Sequence, residues 1–360
     1  MSQTYTIVSP SDAALKPPPD VIPDFQDPFT VRPYWIMTAS VGLVTTGIIL
    51  ALRLYTKIAV VKKCRWEDYM CCLGFIFFAS FIAQVFEVVD AKGGAHQWNV
   101  TNREMEQQLF FANIEDMMYS PAVGFIKISI ILLVLRIFCP VKRDPFYWAL
   151  QSLNVLNTIF YTVYFIIPFV VCQPRKKIWQ PQTPGKCLKV FDLYIASAVF
   201  NVCSDLVMYS APLWKIWHLQ MSKGQKLGII SIFATGGFAV GFAILRLIWA
   251  ILLVFNADFS YVKMQANVFG AAELACGIIC SCLFVLPRLY RHLTASPPYN
   301  SEEYRLRRYK KLASSGRREL EQSALGDVHR KEEERNPWDK DIETAAVLPV
   351  PLRRERENPR

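Results

Sequence analysis

The sequence predicts an all-α fold, a bundle of seven transmembrane helices, and three observations carry that prediction. Seven apolar stretches of about 20 residues, the length that crosses a bilayer core as a helix, lie between Tyr34 and Leu289. Hydrophobic residues make up 52% of the 360-residue chain, while the charges crowd into connecting loops and one terminal tail. The stretches are apolar throughout rather than at every second position, so their backbone hydrogen bonds must close within helices and not in a strand barrel.

In order along the chain, residues 1–33 form a polar, proline-rich arm (KPPPDVIPDFQDP). It lacks a basic start followed by an apolar core, so no cleavable leader is expected and the first span serves as its own targeting signal. The spans are read as Tyr34 to Leu52 (YWIMTASVGLVTTGIILAL, without one charge), Asp68 to Val89, Met117 to Phe138, Phe146 to Val171, Leu193 to Trp217, Leu227 to Phe255, and Ala266 to Leu289. Together they make one membrane domain over residues 34–292. Residues 293–360 are charged, lack apolar periodicity and are expected to be disordered. Their cluster Arg305, Arg307, Arg308, Lys310 and Lys311 lies within reach of anionic lipid, or serves as a solvated tail facing cytosolic partners.

Orientation follows from basic residues in short loops. Arg53, Lys57, Lys62, Lys63, Arg65, Lys142, Arg143, Lys215, Lys223 and Lys226 fall on the side of the tail, while the opposing loops hold fewer, Lys92, Arg103 and Lys263 among them. Arg175, Lys176, Lys177, Lys186 and Lys189 run against this trend. The expectation is an N-terminus outside and a cytosolic C-terminus, in the plasma membrane or an endomembrane. That topology places the sequon Asn99-Val100-Thr101 outside, where Asn99 is a glycosylation candidate.

Cys172 and Cys187 end one span and precede the next on that same outer side, so a disulfide between them is physically reasonable. Cys276, Cys280 and Cys282 lie within the last span, where small residues pack helices. With no histidine nearby, no metal site is expected. Only four histidines occur and none falls in a predicted span. Metalloprotease, nucleophile-elbow and phosphate-loop motifs are absent. A nucleic-acid role from the net charge of +10 is excluded, since the basic residues lie in loops and a membrane-proximal tail.

Charges inside the spans are the functional pointers, because a charge at the bilayer centre costs about 2.5–3.5 kcal/mol and is normally turned inward and paired. Lys127 and Asp205 occupy similar depths, while Arg246, Glu273 and Glu87 sit nearer the outer side. Asn201 and Asp205 share a helix face at i, i+4, and Ser120 and Gly124 share that of Lys127. Gly237 and Gly241 form a small-xxx-small surface. The expected clusters are Lys127 with Asp205, and Arg246 with Glu273 or Glu87. They are either clamps that fix helix register or part of a ligand, proton or substrate site.

Retinal is disfavoured as a cofactor, because the predicted last span carries Glu273 where a Schiff-base lysine is needed. The third span ends LRIFCP where receptors carry an acid-Arg-Tyr motif. Instead, a set of short motifs occurs in order: Arg53-Leu-Tyr-Thr-Lys57, Trp66-Glu67-Asp68-Tyr69, Lys127-Ile-Ser-Ile, Leu135-Arg136-Ile-Phe138, Cys172-Gln-Pro, Trp179, Gly185-Lys-Cys187, Asn201 with Asp205 and Pro212, and Arg246-Leu. In these the chain resembles the fungal rhodopsin-domain integral membrane proteins, the satratoxin-cluster or SAT4-like family, over about Tyr34 to Leu293. The resemblance implies a seven-helix protein of a filamentous fungus, receptor-like or tied to a secondary-metabolite gene cluster. Two roles follow: a receptor-like or accessory protein holding a hydrophobic small molecule between outer helix halves under the Cys172 to Cys187 loop, or a membrane-embedded cyclase or isomerase using Asp205 and Glu273 as proton donors. No internal repeat supports a transporter.

Overall fold

In the computed structural model, which describes residues 11–19, 21–139, 145–217 and 223–285, seven helices among the described residues are long and apolar enough to cross a membrane. They are α1 (Arg32–Tyr55), α2 (Trp66–Asp90), α3 (Asn102–Phe138), α4 (Pro145–Val170), α5 (Val190–Trp217), α6 (Lys223–Phe255) and α7 (Phe259–Leu283). The chain is a multi-pass membrane protein. It divides into two units, Met1–Leu293 and Thr294–Arg360. The second lies outside the described residues, and with it the cluster from Arg305 to Lys311.

Two helices begin well before the predicted spans, and local chemistry explains both. At α3, the Thr101 hydroxyl accepts from Glu104 N while Glu104 Oε2 accepts from Thr101 N at 2.9 Å, a reciprocal cap that starts the helix in polar sequence. Its 37 residues reach roughly 55 Å at 1.5 Å each, beyond a bilayer core of about 30 Å. The Asn102–Asp116 stretch is that excess. At α7, Asp258 caps the first turn by accepting from Tyr261 N, and the helix opens seven residues before Ala266. Lys263, counted above among loop charges, is therefore a helical residue and buried.

Burial follows membrane logic. On α1, Met37, Val41, Val44 and Ile48 recur at helical spacing and are exposed, forming a lipid-facing stripe. The opposite face is buried, with Trp35 edge-on to Phe81 at 6.2 Å. α3 and α7 are the most enclosed helices. Their contact depends on Ile126, which is held between glycines of two neighbours. A Cβ on Gly74 of α2 or on Gly277 of α7 would lie 2.8 Å from it. The predicted Gly237 and Gly241 surface is a helix contact at Gly237 alone: a Cβ there would lie 3.4 Å from the Tyr209 hydroxyl, whereas Gly241 is exposed and has nothing within 4 Å of a Cβ. Gly236 packs against the same Tyr209, where a Cβ would lie 3.2 Å from its ring.

One end of the bundle is capped. β1 (Cys172–Gln173) and β2 (Lys186–Cys187) pair antiparallel, and the Cys172–Cys187 disulfide closes the loop between them. That loop leans on the α3 extension through Trp179 against Phe110 at 5.2 Å and through Gln180 donating to Glu106. The N-terminal arm is strapped across the same end, with Ala14 N donating to Val100 O at 2.8 Å and Val31 N to Gly94 O at 3.1 Å. Asn99 sits beneath the arm at 8% exposure, its Oδ1 accepting from Asp24 N. A glycan on Asn99 would have to displace the arm. This is called the loop end below, and the opposite one the far end.

Candidate functional site

The intramembrane charges of α3, α5, α6 and α7 meet in one layer. Lys127 Nζ lies 2.8 Å from Asp205 Oδ1 and also donates to Asn201 O at 3.1 Å and to Ser204 Oγ. Arg246 Nε donates to Glu273 Oε2 at 3.0 Å. The two predicted pairs are therefore both present, but they are not separate. Asn201 Nδ2 reaches Glu273 Oε1 at 2.7 Å and Asp205 Oδ2 at 3.4 Å, joining them into a single network. Tyr161 donates to Asn201 Oδ1 at 2.7 Å and Tyr119 to Glu273 Oε1 at 3.2 Å, and their rings lie under Lys127 and Arg246 respectively.

The helices place these groups through small residues. Ser120 donates to Tyr161 O at 2.9 Å, and a Cβ on Gly124 would lie 3.2 Å from Tyr161 Cβ, so the face that carries Lys127 also seats the tyrosine beside it. Gly270, one turn before Glu273, makes room for the Arg246 stem. Glu87 departs from expectation. It lies on the exposed side of α2, because Val85, Val88 and Val89 take the buried positions around it.

Two further ionic clusters were not predicted. At the far end, Arg53 pairs with Asp68 at 2.8 Å, Lys57 with Asp68 at 3.0 Å and Glu67 at 3.3 Å, and Arg136 with Glu67. Arg53 and Lys57, read above as loop charges, are fully buried. Toward the loop end, Lys263 pairs with Glu115 at 3.3 Å and Asp116 at 2.8 Å, while Asn267 donates to Glu115 at 3.0 Å. No group of residues able to hold a metal ion occurs among the described residues, and Cys276, Cys280 and Cys282 form no disulfide.

Directly against the central layer, on its far-end side, lies a cavity of about 90 Å³. Ile126, Ile130, Val134, Met208, Val240 and Leu274 give it apolar walls, and Lys127, Asp205 and Glu273 stand at its polar roof. The ligand space expected from the sequence lay between outer helix halves beneath the disulfide loop, and an open space of about 940 Å³ does lie there, lined by residues 179–183 of the loop and by Gln97, Arg103, Glu106 and Leu109 among others. Inside the bundle, next to the layer on its loop-end side, the space is only about 20 Å³ and is lined by Glu115, Asp116, Lys263 and three tyrosines, among other residues. The physical reason is that ion pairs and aromatic rings fill the loop-end half, while small residues, Gly236, Ala239 and Gly277, line the far-end half.

Comparison with known proteins agrees with this architecture. The fungal rhodopsin domain matches residues 52–292. A SAT4 family membrane protein of Emericella nidulans is 34% identical over 234 residues, covering 65% of this chain and 56% of that protein. A protein of Gibberella zeae described as fugralins biosynthesis cluster protein 2 is 26% identical over 283 residues, covering 77% of this chain and 70% of that protein. The chain thus spans little more than half the length of the first of these relatives.

Proposed function

Because the chain belongs to the fungal rhodopsin-domain family, we propose that it is a receptor-like or accessory membrane protein that binds a lipophilic small molecule within its bundle. Its role lies in a secondary-metabolite pathway. The cavity beneath the central ionic layer carries this reading: an apolar pocket ending on a few fixed polar groups is the usual form of a small-molecule site. At about 90 Å³ it is smaller than the ~150 Å³ void that admits benzene. It takes a small branch of a metabolite as it stands, and a ring or more if the helices part. The relative named for a biosynthesis cluster supports the pathway context. The loop end faces outside, since the disulfide needs an oxidising compartment.

A binding role fits better than proton chemistry. A general acid must hold a transferable proton, whereas Asp205 and Glu273 are each neutralised by a cation at 2.8 and 3.0 Å. Ala239 lines the cavity, so a phenyl ring at that position is expected to occupy it. Native mass spectrometry of protein extracted from the producing fungus is therefore expected to show a bound small molecule on wild type and none on Ala239→Phe. A wild type without a bound molecule, or a variant that keeps it, contradicts the reading.

Retinal is not the ligand in this reading. α7 does carry a lysine, but Lys263 is one turn from the helix start and committed to Glu115 and Asp116, and Lys127 is committed to Asp205. Incubation with all-trans-retinal followed by borohydride should leave both lysines unmodified by peptide mass. A retinyl adduct on either lysine would overturn this.

A further inference from the structure

An accounting of acceptors in the central layer narrows the ligand. Glu273 Oε1 accepts from Asn201 and Tyr119, and Oε2 from Arg246. Asn201 Oδ1 accepts from Tyr161, and its backbone oxygen accepts from Lys127 and Ser204. Asp205 Oδ1 accepts from Lys127 at 2.8 Å. Asp205 Oδ2 is left with one long contact, 3.4 Å from Asn201 Nδ2, among the described residues. A carboxylate oxygen at this depth normally takes more than one good donor, because leaving a buried charged acceptor short of partners is costly. Asp205 lines the cavity, and its side chain keeps 13% exposure where the other charged side chains of the layer keep 4–6%.

Charge decides what kind of donor can complete it. The layer holds two cations, Lys127 and Arg246, and two carboxylates, Asp205 and Glu273, so it is balanced as it stands. A protonated amine would add a third cation to a low-dielectric site, and a carboxylate would add a third anion with nothing to donate; either addition is penalised. A neutral hydroxyl adds a donor and no charge. Resting on the binding role proposed above, we infer that the ligand is a lipophile bearing a neutral hydroxyl or phenol, which donates to Asp205 Oδ2 while its apolar body fills the cavity between α3, α5, α6 and α7. Asp205 is thus the residue that sets specificity, through its second oxygen.

Small fluorinated probes test this in nanodiscs holding the full-length protein, with empty nanodiscs subtracted, by ¹⁹F NMR near neutral pH. 4-Fluorophenol is expected to bind about tenfold or more tightly than 4-fluoroanisole, which has the same ring but no donor, as befits a hydrogen bond to a charged acceptor. It is also expected to outbind 4-fluorobenzylamine. Ala239→Phe should abolish binding of all three. Equal binding of phenol and anisole, both lost in Ala239→Phe, would sink the donor assignment while leaving the cavity role intact. Tighter binding of the benzylamine would overturn the neutral-donor argument. If no probe shows binding that Ala239→Phe removes, the cavity reading itself fails. The paired variant Asp205→Asn with Lys127→Gln keeps the layer balanced, and in it the preference for the phenol should fall below about threefold. A preference retained there would assign the acceptor elsewhere.

Discussion

Replacing Arg53 with Leu is expected to destabilise the folded protein by about 3–5 kcal/mol, the usual cost of removing one partner from a buried ion pair. Arg53 is fully buried and ties three helices together. From α1 it reaches Asp68 of α2 at 2.8 Å and, on α7, the Ser281 backbone oxygen and hydroxyl at 2.5 and 2.7 Å. Its loss leaves Asp68 with Lys57 as its remaining cation beside the Arg65 backbone N–H, and Ser281 O without that donor. Arg136→Leu in the same cluster should cost clearly less, because Arg136 keeps 25% side-chain exposure and water can replace it at Glu67. Reversible unfolding in mixed micelles measures both. An Arg53→Leu loss below about 1 kcal/mol, or one no larger than that of Arg136→Leu, would mean that the far-end cluster is not the clamp described.

Lys127→Met is the second large effect, again about 3–5 kcal/mol, because it strands Asp205 in the centre of the bundle. The cost comes from the uncompensated charge rather than from the worth of the pair. Adding Asp205→Leu to Lys127→Met should therefore recover part of the stability, with a coupling of about 1–3 kcal/mol between the two sites. Strict additivity would show that the 2.8 Å contact contributes nothing to the fold. Asn201→Leu should weaken the central layer as well, since one side chain touches both ion pairs.

Much of this was readable from the sequence, and the reason is geometric. Seven apolar runs set the bundle, and the i, i+4 spacing of Asn201 and Asp205 placed both on one inward face. Lys127 and Arg246 were found because a charge in a long apolar run has few places to go. What stayed hidden depended on partners far along the chain. Arg53 and Lys57 follow an apolar run and look like loop charges until Glu67, Asp68 and Ser281, the last 228 positions from Arg53, close around them. Lys263 was assigned to a loop because polar residues at the start of α7 lower local hydropathy, although Asp258 caps the helix there. Glu87 was expected to turn inward on depth alone. Its angular position between buried valines decides otherwise.

The position of the cavity was likewise beyond the sequence. The disulfide loop suggests a lid, and a lid suggests a ligand beneath it. The space directly under the lid is an open one of about 940 Å³ against the α3 extension, whereas inside the bundle the loop-end half is filled by Tyr119, Tyr164, Tyr194 and four charged residues, and glycine and alanine leave space on the other side of the layer. The lid is tied to the α3 extension instead, and the arm is bonded separately to the start of α3 and the segment before it.

Photolabelling reads the occupancy of the cavity itself. A small phenyl-diazirine probe, added to nanodisc-embedded protein and activated by light, reports which residues line an accessible apolar cavity. Adducts are expected on Met208, Tyr209 and the 233–240 segment, reduced at least severalfold in Ala239→Phe. Adducts confined to the Cys172–Cys187 loop and its neighbours, unchanged in that variant, would contradict this expectation.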